Sequence, residues 1–168
     1  MKVVVTDANI FFDLIQIGAL VQFFQLKVEF HTTALVMDEC DPRDISILQP
    51  YLDSKELFVR SFNDKEMSVV QQTGKRKGLR VADRSVLLHA LGITGIVLSG
   101  DSDMRKECAE MLLGCHGILW CISELNKQGL LTTTECLALL DKLEGVNKWL
   151  PKKEMGQLRE DLTDGLHS

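Results

Sequence analysis

The chain has 168 residues, 45% of them hydrophobic, and a formal net charge of -5. This length and apolar content exclude a disordered chain and give a single domain enough material for a core. No apolar run reaches the roughly 18 residues that a membrane span needs, and an acidic balance is unusual for a protein that holds nucleic acid by net charge.

The chain opens with one Lys and enters an apolar stretch directly, without the leader and cleavage site of a signal peptide. Five cysteines, at 40, 108, 115, 121 and 136, include no C-x-x-C pair. A zinc site is therefore not expected, and reduced thiols fit a cytoplasmic protein. Cys108, Cys121 and Cys136 lie in apolar stretches and read as small core residues.

In chain order, Val3, Val4 and Val5 form a β-branched run suited to a buried strand. Phe11 to Leu26 has helical spacing, with Phe12, Ile15, Ala19, Leu20, Phe23 and Phe24 on one stripe and Gly18 as a break. Lys27 to His31 alternates as a strand. Thr32 or Thr33 caps a helix ending at Asp38-Glu39, and Pro42 limits it or opens the next. Ile45 to Leu52 reads as helix and Leu57 to Phe62 as strand. Asn63 caps a helix to Gln72, with Glu66 at the capping-box position. Gly74 and Gly78 bracket Lys75-Arg76-Lys77, which reads as an exposed, mobile loop.

Val81 to Leu91 is an apolar helix with Asp83 in its first turn and Gly92 as its end. Thr94 to Ser99 is the most buried-looking strand, followed by the corner Gly100-Asp101-Ser102-Asp103 and a helix from Met104 to about Leu113. Gly117 to Cys121 reads as the fifth strand, then helices follow over Ile122 to Gln128 and Thr132 to Leu143. Trp149-Leu150-Pro151 breaks the chain before an amphipathic helix, Lys152 to Leu162. The alternation predicts a three-layer α/β/α sandwich on a parallel sheet of about five strands. The domain is expected over 1–128, with a helical extension over 129–168 packed on it.

Two strands stop on the same kind of corner, one at Asp7-Ala8-Asn9 and one at Asp101-Ser102-Asp103. In a parallel sheet, neighbouring strands would bring both corners to the carboxyl edge, where such sheets bind ligands. Asp83 opens the helix that feeds the second corner, and Glu39 ends the helix after the second strand. Carboxylates from four segments could thus converge, and they repel each other unless a hard cation such as Mg2+ or Mn2+ neutralises them. Each acid also has a plainer reading: Asp7 or Asn9 as a helix cap, and Asp83 and Asp103 as first-turn acids that favour the helix dipole. Spacing does not separate Glu39 from Asp38. Asp13, Asp53, Asp64 and Asp141 look like surface acids, and the four histidines show no ligand spacing.

The ordered set Asp7-x-Asn9, Val36-x-x-Glu39, Ala82-Asp83 and Leu98-Ser99-Gly100-Asp101-x-Asp103, over about Met1 to Cys121, resembles PIN-domain proteins, including toxin ribonucleases of the VapC type. The resemblance implies that Asp7, Glu39, Asp83 and Asp101 are catalytic, metal-binding acids, with Asp103 as a further variable one. Asn9 and Ser99 would support the first acid. It further implies Mg2+- or Mn2+-dependent cleavage of single-stranded RNA, often in a homodimer, with an antitoxin partner where the protein is a toxin. The chain is longer than a minimal domain of this type. Lys75, Arg76, Lys77, Arg80 and Arg84 crowd one segment leading to the acids and could hold phosphates, or could form a solvated face. One Tyr and two Trp leave few stacking partners for unpaired bases. Competing readings are a PIN-like interaction module with a degenerate site and an aspartyl-nucleophile phosphatase, though Asn9 stands where the phosphatase needs a second acid.

Overall fold

A computed structural model describes residues 1–167. The elements in order are β1 (Lys2–Thr6), α1 (Ala8–Ile17), α2 (Leu20–Phe24), β2 (Val28–Thr33), α3 (Ala34–Glu39), α4 (Pro42–Asp53), β3 (Leu57–Arg60) and α5 (Asp64–Gln72). They continue as α6 (Val81–Ile93), β4 (Ile96–Leu98), α7 (Ser102–Glu110), β5 (Cys115–His116), α8 (Ile118–Lys127), α9 (Thr133–Val146) and α10 (Lys152–His167).

All four strand pairings are parallel, in the order β3-β2-β1-β4-β5. Val4 and Val5 on the central β1 are fully buried, as a strand flanked by two others and covered by helices requires. The strand order reverses between β1 and β4. This is the switch point of an open α/β sheet, where the connections leave in opposite directions and a crevice opens at the carboxyl edge. The α/β/α arrangement and its five parallel strands agree with the sequence pattern.

Helices α8, α9 and α10 pack on one another, and α9 lies against α1. Leu139, Leu140, Leu143, Met155, Leu158 and Leu162 join the same core as β1. The segment after residue 129 therefore shares its apolar interior with the sheet domain.

The apolar face of the first helix differs from the expected stripe. Ile10, Phe11, Leu14 and Ile17 are buried, whereas Phe12 is 47% exposed. The reason is the break at Gly18, whose left-handed φ of 72° ends α1. A stripe drawn through Gly18 joins two helices that do not share a face.

Gly92 does not end α6. The helix runs to Ile93, and Thr94 takes the left-handed conformation at φ 54°. The fifth strand also differs. It is Cys115–His116, and Ile118 begins α8, whose Ile118, Cys121, Ile122 and Leu125 are buried at helical spacing. A four- or five-residue apolar run carries no period long enough to separate strand from helix.

Candidate active site

The carboxyl edge at the switch point carries the acids. Asp7 follows β1 directly, and its backbone N–H donates to Leu98 O on β4 at 2.9 Å, which joins the two strand ends. Asp7 is only 1% exposed. Its Oδ2 accepts from the Ser99 hydroxyl at 2.8 Å and from Asn9 Nδ2 at 3.2 Å, and its Oδ1 accepts from the Ala8 N–H at 2.8 Å. Asp7 is the cap of α1 and also the buried acid of the edge, so the two readings of this position coincide. Asn9 Oδ1 accepts from the Gly100 N–H at 3.1 Å, which ties the first corner to the second.

Asp101 caps α7, accepting from the Met104 N–H at 2.9 Å. Asp103 is the first-turn acid of this helix that its sequence position suggests, and its carboxylate lies against Gly78. A Cβ at Gly78 would collide with Asp103 Oδ2, so a larger residue there would push this carboxylate out of its present position.

Asp83 sits in the first turn of α6, where its Oδ2 accepts from the Arg80 N–H at 2.7 Å. The helix is fixed against β2 by a hydroxyl pair, Thr33 Oγ1 to Ser85 Oγ at 2.7 Å. The same Thr33 Oγ1 accepts from the Val36 N–H and caps α3, which ends on Glu39. Glu39 pairs with Arg80 at 3.1 Å, whereas Asp38, exposed like Glu39, makes no ion pair among the described residues.

These acids feel one another. Burial pushes the Asp7 carboxyl up to about 6, and the charges of Asp83 and Glu39 add to the rise against the lowering by its Ser99 and Ala8 bonds. Burial also raises Asp83, with a further push from Asp101, and raises Glu39, with a further push from Asp83. Arg80 lowers both of these. Asp7, Glu39, Asp83 and Asp101 thus form one electrostatic group, and Arg80 is its counter-ion.

The basic segment does not have the form its sequence suggests. Glu107, 1% exposed on α7, accepts from the backbone N–H groups of Lys75 and Arg76. The Arg76 guanidinium faces Glu107 and Glu110. Arg84 donates to the carbonyls of Thr73, Gly74 and Arg76. The loop is pinned where the glycine brackets suggested mobility. Arg76 and Arg84 are engaged inside the protein, and Arg80 is engaged with the acids. Lys75 and Lys77 stay exposed.

Asp13 also departs from its sequence reading. It is buried, its pKa is raised by burial, and its Oδ2 accepts from Asn147 Nδ2 at 2.9 Å. The partner lies 134 residues away and no local pattern announces it. His31 Nδ1 lies 3.0 Å from His89 Nε2 and His31 Nε2 lies 2.7 Å from Glu29.

A family model described as a PIN domain (DUF3368) matches residues 3–164. The chain belongs to this PIN domain family. The match begins in β1 and runs into α10, so α9 and α10 lie within the family's own span. PIN domains form a nuclease-type fold family. A PilT N-terminus domain protein from the hyperthermophilic archaeon Sulfolobus solfataricus has a similar fold, with a TM-score of 0.50 at 14% identity over 74% of this chain and 93% of that one. No curated protein matches the chain.

The donor chemistry of this PIN domain suits a hard divalent cation. All the side chains involved are carboxylates, and their mutual repulsion is only partly relieved by Arg80. The spacing is wider than a closed site. Among the described residues, no three His, Cys, Asp or Glu side chains are grouped to hold one ion. Arg80 is 65% exposed at its side chain and has room to leave Glu39.

Proposed function

We propose that this PIN domain is a Mg2+- or Mn2+-dependent endoribonuclease that hydrolyses phosphodiester bonds of single-stranded RNA. The observation that carries this reading is Asp7, a buried carboxylate at the switch point, gripped by three donors and raised to about 6 beside two further acids. Fold stability alone does not favour such an arrangement, because buried like charges are costly.

In this reading Asp7, Glu39, Asp83 and Asp101, with Asp103 beside them, hold the cation. When bound, it supplies charge stabilisation at the phosphate and activates the attacking water. Ser99 and Asn9 hold the Asp7 carboxylate in one orientation. Water attacks phosphorus and its proton passes to a carboxylate oxygen of the group. The P–O3′ bond breaks and the leaving 3′-oxygen takes a proton from solvent, so the products are a 5′-phosphate and a 3′-hydroxyl, with no covalent protein intermediate. The resemblance to toxin ribonucleases extends the proposal to a toxin–antitoxin setting, with an antitoxin over the edge and a homodimer as the assembly.

A second reading, a non-catalytic interaction module, draws on one observation. Arg80 already neutralises Glu39 and approaches Asp83 to 3.9 Å. The two readings separate on metal binding. Millimolar Mn2+ should raise the melting temperature by mass action, and Asp7→Asn should remove that rise. An unchanged melting temperature in the parent protein would count for the module.

A further inference from the structure

Two open cavities meet at the carboxyl edge. One, of about 420 Å³, is lined by Asn9, Asp101 and Ser102 of the acidic corners together with Trp149. The other, of about 290 Å³, is lined by Arg105, His116, Trp120 and again Trp149. They share Asp13, Gly100, Asn147 and Trp149, so one groove runs from the acids to an aromatic wall. Both tryptophans of the chain, 29 positions apart in sequence, border this groove.

The two rings are held differently. Trp120 stacks on His116, with centroids 4.8 Å apart and planes within 2°, and Lys2 lies 5.9 Å from its centre. Trp149 is 92% exposed and makes no ring contact among the described residues. Exposing an indole this fully gives up its burial free energy. The turn that carries it is nevertheless tied down: the Trp149 N–H donates to Asn147 Oδ1 at 2.9 Å, and Asn147 Nδ2 donates to the buried Asp13 of α1. A fixed turn therefore presents an unpartnered aromatic face beside the acids.

Charge agrees with that placement. Arg105 Nη2 lies against Gly117 in the same groove, and Arg105 has no ion-pair partner among the described residues. It stands apart from Arg76, Arg80 and Arg84, all of which are engaged within the protein. Glu154, Leu150 and Pro151 also line this groove.

We propose that this groove is a nucleotide subsite: Trp149 stacks an unpaired base of the RNA strand, with Trp120 and His116 as the back wall and Arg105 on the adjacent phosphate. The proposal rests on the ribonuclease reading of the edge and names how its substrate is held. A base needs only a π-face to stack, so the subsite selects single strands without a strong base preference. In a duplex the bases are already stacked and unavailable.

The test is binding of a fluorescein-labelled single-stranded oligo(A) by anisotropy, in EDTA, so that no cleavage enters the reading. The parent protein should bind, and its tryptophan emission should be quenched. Trp149→Ala should weaken binding by about 5- to 150-fold and remove most of the quench. Trp149→Phe should stay within about threefold of the parent, since a π-face remains. Both variants should melt with the parent, as the side chain is exposed. Duplex RNA of the same length should produce no quench. Equal binding by Trp149→Ala and the parent, or no binding by the parent, overturns the subsite. Loss of self-association in Trp149→Ala with RNA binding unchanged also overturns it, and assigns Trp149 to an interface between copies of the chain. Binding that depends on Trp149 without cleavage in Mn2+ would leave the subsite standing and refute the ribonuclease.

Discussion

The loop between α5 and α6 and the turn before α10 both border the acidic edge, and they use their side chains in opposite ways. In the loop, the three arginines that look available from sequence are engaged, while Lys75 and Lys77 stay exposed. Glu107 receives the backbone of Lys75 and Arg76, Arg84 holds three carbonyls, and Arg80 pairs with Glu39. In the turn, the backbone is held by Asn147 and Asp13, while among the described residues the Trp149 side chain makes no ring contact and the nearby Arg105 no ion pair. A run of like charges does not by itself mark a binding surface. The informative residues are those whose polar or aromatic capacity the fold leaves unfilled.

The largest effect expected belongs to the edge between these two regions. The Asp7 carboxyl is raised from 3.8 to about 6, chiefly by burial. The folded state therefore binds this proton more tightly than the unfolded state. Without metal, the contribution of this group to stability is fully present below about pH 4 and is lost as pH rises through about 6, a change of about 3 kcal/mol. Asp7→Asn should flatten that slope in denaturant melts, as should saturating Mn2+. The same pH dependence in the parent protein and in Asp7→Asn would show that Asp7 is not the strained charge of the edge.

A smaller effect sharpens the contrast on the loop side. Arg76→Ala removes the guanidinium facing Glu107 and Glu110 while leaving the two backbone donors in place. The cost should be about 1–2 kcal/mol, since Glu107 is buried and Arg76 is partly exposed. In a domain of this size that lowers the melting temperature by about 2–8 °C. RNA affinity measured below the transition should hardly change. A large loss of affinity with no loss of stability would make Arg76 a phosphate contact and undo the comparison.

The smallest effect belongs to Lys75 and Lys77, the exposed charges of the loop. Their double alanine variant should lower the slope of log K against log salt by less than one unit, whereas Arg105→Ala alone should lower it by about one. The reverse order would put the RNA strand on the loop side.

Much of this was legible in the sequence because it is local. Val3, Val4 and Val5 ending on Asp7 specify a buried strand and a carboxyl-edge acid within seven residues. Asn63 and Glu66 form the capping box their spacing announces, with both bonds at 2.9 Å. The Asp7 and Asp101 corners share one edge wherever their strands are neighbours in a parallel sheet, while the support of Asp7 by Ser99 is legible only from the family resemblance. What was not legible depends on long-range contacts. Asp13 looks like a surface acid until Asn147 arrives from the other end of the chain, and Lys75-Arg76-Lys77 looks mobile until Glu107 folds against it. The strand at Cys115–His116 is two residues long and carries no periodicity at all. By its charge Arg80 reads as a phosphate contact or as part of a solvated face, and only its position beside Glu39 and Asp83 makes it the counter-ion of the acids.

The central claim is that the Asp7 edge hydrolyses RNA with water as the nucleophile. The most direct measurement is end-group analysis of single-stranded RNA incubated with purified protein and Mn2+, alongside Asp101→Asn. Asparagine keeps the cap of α7 and removes only the charge. The account predicts 5′-phosphate and 3′-hydroxyl ends from the parent, cleavage of a substrate lacking the 2′-hydroxyl at the scissile position, and loss of activity in a folded Asp101→Asn. Cyclic phosphate ends, or full activity in Asp101→Asn, would contradict it.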